Sequence, residues 1–564
     1  MACIPEAPPP LSEQCHRVRP LESHAQTSST LVESVAAEGP SPAATKLDHS
    51  DGSDESRAAK GVPNDVIWVD WDGHDDPANP FNWSASKKWS IASVGIAFCS
   101  LVSISVSGYS ISIDSVVNKL ETSKTLALLG IWSFTLMFGT APLLLAPFSE
   151  TYGRSGIYIA SAIVFTLFFI PQALARNIET MIIARFISGI AGSSAVSLVG
   201  GTISDCFRSN ELGFPMALFT AAAFASTGLG PVMFGYVEQF YDFRLIQWIM
   251  FAMSGAFTLA MGFVLRETRQ SVLLSRKAAK LRKETGDDRY QAASDFERGS
   301  LRQMMRTSLL RPVRMLCTEP VLISMTATIS FGWALLYMLL VAIPIVLRGT
   351  YGFSIGQAGL AFNSQVLGSG LGLLIDHFCE KLYHRTVAKR GPEARLYQAM
   401  IGGLMIPVGA AIFSFTAYPH VHWIACLIGV TILYAGMFLC YLTCFSYLAD
   451  ASHADCAANR YSLYASSALS AMSFVRNLIG SVCPLFTPQM YSTLGIQGAS
   501  GLCTGLACIL MVIPFVLFKY GLRLRERSPF AVELRKLADA EEEKREADNA
   551  AKSRRARDEK PQDV

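Results

Sequence analysis

The sequence predicts an all-α polytopic membrane protein built as two six-helix bundles related by pseudo-two-fold symmetry, and three observations lead there. Of 564 residues, 51% are hydrophobic and only 16% charged, with a mean hydropathy of +0.32, too apolar for a soluble chain of this length. Runs of about twenty apolar residues, each able to cross about 30 Å of hydrocarbon, recur between Trp89 and Tyr520. A long basic stretch divides those runs six and six, as an internally repeated bundle would.

Residues 1–86 are rich in Pro, Ser, Ala, Glu and Asp and read as a disordered cytosolic arm, with no signal peptide ahead of the first apolar run. Trp83 and Trp89 flank the basic pair Lys87 and Lys88, suited to the headgroup level. The first bundle spans 87–265, with runs near 89–111, 125–147, 155–175, 178–204, 212–237 and 245–265. A cytosolic basic loop follows at 266–318. The second bundle spans 319–520, with runs near 319–347, 354–378, 396–418, 422–448, 461–485 and 498–520. A charged tail, 521–564, closes the chain.

Charge sidedness tests this assignment. Alternate loops collect Lys87, Lys88, Arg154, Arg208, Arg460, the groups Lys381–Arg395 and Arg266–Lys283, and Lys519 to Arg527. The opposite loops keep only Lys119, Lys124, Arg176, Arg244 and Arg348. By the positive-inside rule both termini are cytosolic, which requires an even number of spans. The basic loop and the C-terminal tail read as amphipathic helices lying near anionic lipid.

Charges inside the runs are few, so each one counts. Arg185 and Arg476 stand alone in apolar segments, and an arginine at such depth should face protein or a water-filled cavity. Each reads either as a cavity cation, anchoring a ligand or answering a protonatable acid, or as a structural arginine held by carbonyls. Gly189 follows Arg185 in a small-residue series. Gly228, Gly230, Pro231 and Gly235 strip side chains from one helix face and free a carbonyl, predicting a close-packed, bent helix that serves as a hinge. Trp132, Tyr337 and Asn363, with Tyr109, Phe224, Trp333, Gln365 and Tyr441, are candidate cavity residues. Aromatic walls with few polar groups suit bulky amphipathic organic molecules. The carboxylates Asp114, Glu238, Glu319, Asp376 and Asp450 lie near helix ends, so no mid-depth acid is available for proton coupling.

Several stretches resemble signatures of the major facilitator superfamily. Pro147-Phe-Ser-Glu-Thr-Tyr-Gly-Arg154 is similar to its loop between helices two and three, Arg185-Phe-Ile-Ser-Gly189-Ile-Ala-Gly192 to its fourth-helix signature, and Gly228-Leu-Gly-Pro231-Val-Met-Phe-Gly235 to the fifth-helix signature of antiporters. Asp76 to Ser84, Gly200 to Asp205, Arg266-Glu-Thr-Arg269 and Arg476-Asn-Leu-Ile-Gly480 resemble the fungal drug:proton antiporter branch. There are departures. Thr151 and Ser155 stand where the loop signature has basic residues, and Phe234 replaces a glycine of the antiporter signature.

The resemblance implies a secondary transporter that exports small organic molecules such as drugs, toxins or fungal secondary metabolites by proton antiport. It also implies conformational gating at Glu150, Gly153 and Arg154, mirrored at Asp376. The partners so implied are the lipid bilayer, a small-molecule substrate and protons, with no nucleic acid and no cofactor beyond a proton gradient; the chain is expected to be a monomer in the plasma membrane, with the vacuolar membrane as alternative. A nutrient or polyamine permease on the same fold, and a non-transporting receptor, remain open. Enzyme chemistry is not expected. No histidine sits centrally in an apolar run, no Gly-Lys-Ser/Thr phosphate loop is present, no metal cluster is apparent among the thirteen cysteines, and Gly368-x-Gly-x-Gly372 lies inside an apolar helix with no strand before it.

Overall fold

The computed structural model describes residues 66–526, apart from 74, 209–210, 294, 296–300 and 454–460. The N-terminal arm before 66 and the tail from 527 lie outside the described residues. Eleven spans are long and apolar enough to cross a membrane: α1 Ala85–Ile111, α2 Lys124–Leu145, α3 Arg154–Ala173, α4 Ile178–Cys206, α5 Gly213–Phe240, α6 Phe243–Val264, α7 Pro320–Tyr351, α8 Ile355–Val387, α9 Glu393–Thr416, α10 Trp423–Tyr447 and Ser467–Gly521. The last holds 55 residues and leaves helical geometry at Gly495, whose φ is +70° and ψ 173°. Tyr491 and Ser500 share a hydrogen bond of 3.0 Å across this point. Nine residues of straight helix would hold them about 13 Å apart, so the chain turns back there. The run is therefore two crossings, α11 (467–494) and α12 (496–521), giving twelve among the described residues. In hydrocarbon only helices satisfy every backbone group within a single segment, so apolar runs of this length fold this way.

The turns at one end of the bundle are short and capped. Ser123, Asn177 and Asp242 accept backbone N–H groups at the starts of α2, α4 and α6, and Ser354 forms a capping box with Gln357 at the start of α8. Even-numbered helices thus begin together, at what we call the 114/348 end after a pair of residues there. The 205/376 end carries the longer connections.

Helices α1 and α7 are the inner ones, 67% and 72% buried across their spans, whereas α6 is 28% buried and presents Leu259 and Phe263 outward. Glycines let backbones approach closely. Gly402 and Gly436 bring α9 against α10, and Gly368 and Gly372 seat α8 on Tyr434 and Phe438 of α10. The glycine-rich run of α8 is thus a helix-packing surface.

Three differences from the sequence expectation stand out. The eighth helix continues beyond its span end at Val387 to Arg390, twelve positions past its expected end at 378, because the residues after Asp376 are good helix formers that reach water. Asp376 therefore lies within the helix, not at its terminus. The expected disordered arm 1–86 is folded from Val66 onward: Ile67–Trp68 pairs in parallel with Tyr290–Gln291, and Val69, Ala278 and Ala292 form a small cluster. The loop helix Gln270–Thr285, expected to lie on lipid, turns Lys277 toward this arm, where it pairs with Asp72 at 2.7 Å and Asp76 at 3.6 Å.

Candidate functional site

A cavity with about 620 Å³ free of protein atoms lies between the two halves. α1, α2, α4 and α5 contribute Val102, Phe138, Val196 and Phe224; α7, α10 and α11 contribute Trp333, Tyr337, Tyr441 and Arg476. Phe224 of α5 meets Trp333, Tyr434, Phe438 and Tyr441 edge-on at 5.4 to 6.0 Å, so an aromatic joint connects the halves at mid-depth. Beside it, the hydroxyls of Thr227 and Tyr434 bond across the same boundary at 3.0 Å.

Arg476 projects into this cavity from α11. It is 1% exposed, and its guanidinium sits over the rings of Trp333 at 4.3 Å, Tyr441 at 4.8 Å and Phe445 at 5.6 Å. Its Nε and Nη1 have no hydrogen-bond partner among the described residues. The neighbouring Asn477 accepts the indole N–H of Trp333 at 3.0 Å, which fixes the ring under the cation. Gly139 of α2 leaves room for Asn477, since a side chain there would collide with it.

Arg185 occupies a different place. It is fully buried between α1, α2 and α4, its Nε donates to the Gly130 carbonyl at 2.8 Å, and its guanidinium lies 3.9 Å from the Tyr109 ring and 5.2 Å from Phe134. It does not line the cavity. Gly189, one turn on, abuts the Phe134 backbone. Trp132 is also absent from the wall, and exposed Asn363 bonds back to the Leu360 carbonyl of its own helix. Of the cavity candidates named from the sequence, the structure brings Phe224, Trp333, Tyr337, Tyr441 and Arg476 to the wall and leaves Tyr109, Trp132, Arg185, Gly189, Asn363 and Gln365 elsewhere.

At the 205/376 end, Arg154 is clamped. Its Nε lies 2.9 Å from Asp205 Oδ2, its Nη2 donates to Asp205 Oδ1 at 3.2 Å and its Nη1 to the Leu198 carbonyl at 3.2 Å. Glu267, just past α6, accepts the backbone N–H groups of Arg154 at 3.0 Å and Ser155 at 3.2 Å, and the Ser155 hydroxyl at 2.9 Å. Burial pushes the Glu267 carboxyl up, but the N–H groups of Arg269 and Arg154 together with Ser155 outweigh it and hold the group below the ordinary glutamate value. Gly153 has φ +95°, and a side chain there would strike Glu267; one at Gly201 would strike the Arg154 guanidinium. The side chain of Glu150 lies outside the described residues. Asp376 accepts from Gln398 of α9 at 2.8 Å, a contact within the second half. The sequence reading quoted Asp205 and Glu267 only as motif letters; their role as partners of Arg154 follows from helix juxtaposition that spacing does not carry.

The α5 glycines face two ways. Gly230 packs on Ser107, Gly108 and Ile104 of α1, while Gly228 meets the Phe362 carbonyl and Gln365, and Gly235 meets Gly356 and Gly359 of α8. α5 runs unbroken through Pro231, so this segment is a joint between halves and not a break. At the 114/348 end the halves are tied by Arg348 to Asp114 at 2.6 Å and by the Gly356 N–H to Gln239 at 3.0 Å.

The Major Facilitator Superfamily family model matches residues 94–468. The chain is 33% identical over 475 residues to the efflux pump radE of Floropilus chiversii, covering 83% of this chain and 86% of that protein. It is 33% identical over 487 residues to the major facilitator superfamily multidrug transporter mdrA of Aspergillus fumigatus, covering 85% and 78%. Among solved structures, an inward-facing bacterial homolog of the human lysosomal transporter Spinster aligns with a TM-score of 0.55 at 12% identity over 78% of this chain and 99% of that one. The xylose transporter XylE of E. coli, partially occluded and inward open, aligns at 0.54 and 14% identity over 77% and 98%. At such identities these two alignments speak to the fold alone.

Proposed function

The chain belongs to the major facilitator superfamily, and on that premise we propose that it exports small organic molecules across a membrane by alternating access. The observation that carries this reading is the aromatic cavity at mid-depth, walled by both halves. A rocking motion of one half against the other would move its opening from one face to the other. The cross-half contacts at Asp114–Arg348 and Gln239–Gly356 tie the halves at one end, which the positive-inside rule makes the outer one, so the arrangement is closed on the outer side. In that reading α5 and α8 are the bearing surface, and the clamp of Arg154, Asp205 and Glu267 stiffens the first half at its cytosolic end. The names of relatives, efflux pump and multidrug transporter, support export over uptake.

Proton antiport is the coupling we assign, powered by the gradient with no other cofactor. The cavity wall holds no carboxylate, so the proton would be carried by a buried acid away from it, with Asp205 and Asp376 at one end of the bundle and Glu238 at the other as the candidates. Proteoliposomes of the full chain, loaded with fluorescent aromatic compounds, test both parts. Efflux faster than from protein-free vesicles and accelerated by an opposing proton gradient is the expected result. Efflux indifferent to the protein would end the exporter reading, and efflux indifferent to the proton gradient would end the antiport reading.

A further inference from the structure

We propose that the cavity is an anion site: Arg476 takes the single negative charge of an aromatic acid whose ring system lies among Phe224, Trp333, Tyr337 and Tyr441. The substrate class named here rests on the exporter reading; the binding site itself does not. Arg476 is the one ionic side chain in the cavity wall, which includes no Asp or Glu. No ion pair to it exists among the described residues. Trp333 and Tyr441, stacked at 5.3 Å and 23°, offer ring faces that steady the cation but accept no conventional N–H hydrogen bond, and Nε and Nη1 remain unpartnered. A buried guanidinium with open donors is completed by an anionic acceptor such as a carboxylate.

Two other donors near the wall are already used. The Ser107 hydroxyl donates to the carbonyl of Ser103, and the Thr227 hydroxyl is engaged with Phe224 and Tyr434. Arg476 thus supplies the charge in a wall that is otherwise apolar, aromatic or hydroxyl-bearing, with the hydroxyls of Ser103, Tyr337 and Tyr441 also lining it. An aromatic cage without a cation would draw in ammonium groups, but this one is occupied by a cation of its own. Polyamines and quaternary amines are disfavoured by it, so a cationic probe is expected to bind weakest.

Equilibrium dialysis of the detergent-solubilised full chain at about pH 7, where carboxylates are ionised, tests this with three probes of one shape: 2-naphthoate, neutral 2-naphthamide and cationic 2-naphthylmethylamine. The expected result is naphthoate bound about tenfold or more tightly than the amide, and the amine weakest. Arg476→Met should erase the preference for the acid while leaving amide affinity within about threefold of the parent, a sign that the cavity still folds. Arg476→Lys should keep the sign of the preference at reduced size. Failure of naphthoate to bind, amide or amine binding as tight as the acid, or an acid preference that survives in Arg476→Met would overturn the anion site. Acid binding without vesicle efflux would keep this site and remove the exporter reading instead.

Discussion

Arg185 in α4 and Arg476 in α11 are alike in sequence: each is a lone cation in an apolar helix, and each is buried against aromatic rings. Their surroundings differ. Arg185 is folded into one half, with a carbonyl of α2 at 2.8 Å and no access to the cavity. Both guanidiniums keep two nitrogens without a partner among the described residues, but Arg476 sits where the halves meet with a cavity in front of it. A charge enclosed within a rigid half holds that half together; the same charge at a seam between moving halves is free to answer a ligand. The clamp at Arg154 supplies a third case, a buried arginine with a matching acid.

This ordering can be broken by experiment. The largest loss of folded stability is expected for Asp205→Asn, which strands the Arg154 charge and should cost about 3–5 kcal/mol, read as a lowered Tm in detergent. Arg185→Ala comes next. It empties space against Tyr109 and Phe134 and should cost about 2–3 kcal/mol, while protein that does fold keeps its ligand affinity. If Arg185→Ala instead spared Tm and abolished binding, the contrast between the two arginines would be reversed.

A smaller effect is expected from acid. Because Glu267 titrates below the ordinary glutamate value of 4.5, its stabilisation is complete above that pH and fades as pH falls through its folded value. Thermal melts from pH 7 toward about pH 3 should show a drop that is absent in Glu267→Gln. An equal drop in both would place the acid-sensitive group elsewhere.

How much of this was legible beforehand follows from what local sequence can encode. Span positions, and the separation of the last two runs, were readable, because hydropathy is a local property. Gly153 and Arg154 were singled out by their motif, but their contacts with Glu267 and Asp205 were not. The phase of each helix was not. Asn363 and Trp132 looked like cavity residues because they are polar or aromatic, yet helix rotation takes them off the wall. Arg185 and Arg476 could not be told apart either, since Trp333 and Tyr441 are far from Arg476 in the chain and meet it only after α7, α10 and α11 pack. The continuation of α8 to Arg390 escaped notice because a hydropathy reading stops where charges begin, although a helix does not have to.

The central claim is that the halves move apart at the 114/348 end during each transport cycle. Its most direct test is a double variant, Asp114→Cys with Arg348→Cys, reconstituted in vesicles and joined by a short cleavable cross-linker. The account predicts that linking stops efflux of whatever compound the parent protein exports, and that cleaving the linker restores it. Each single cysteine variant should transport normally, because an exposed ion pair contributes only about 0.2–1 kcal/mol. Undiminished efflux from fully linked protein would contradict the account.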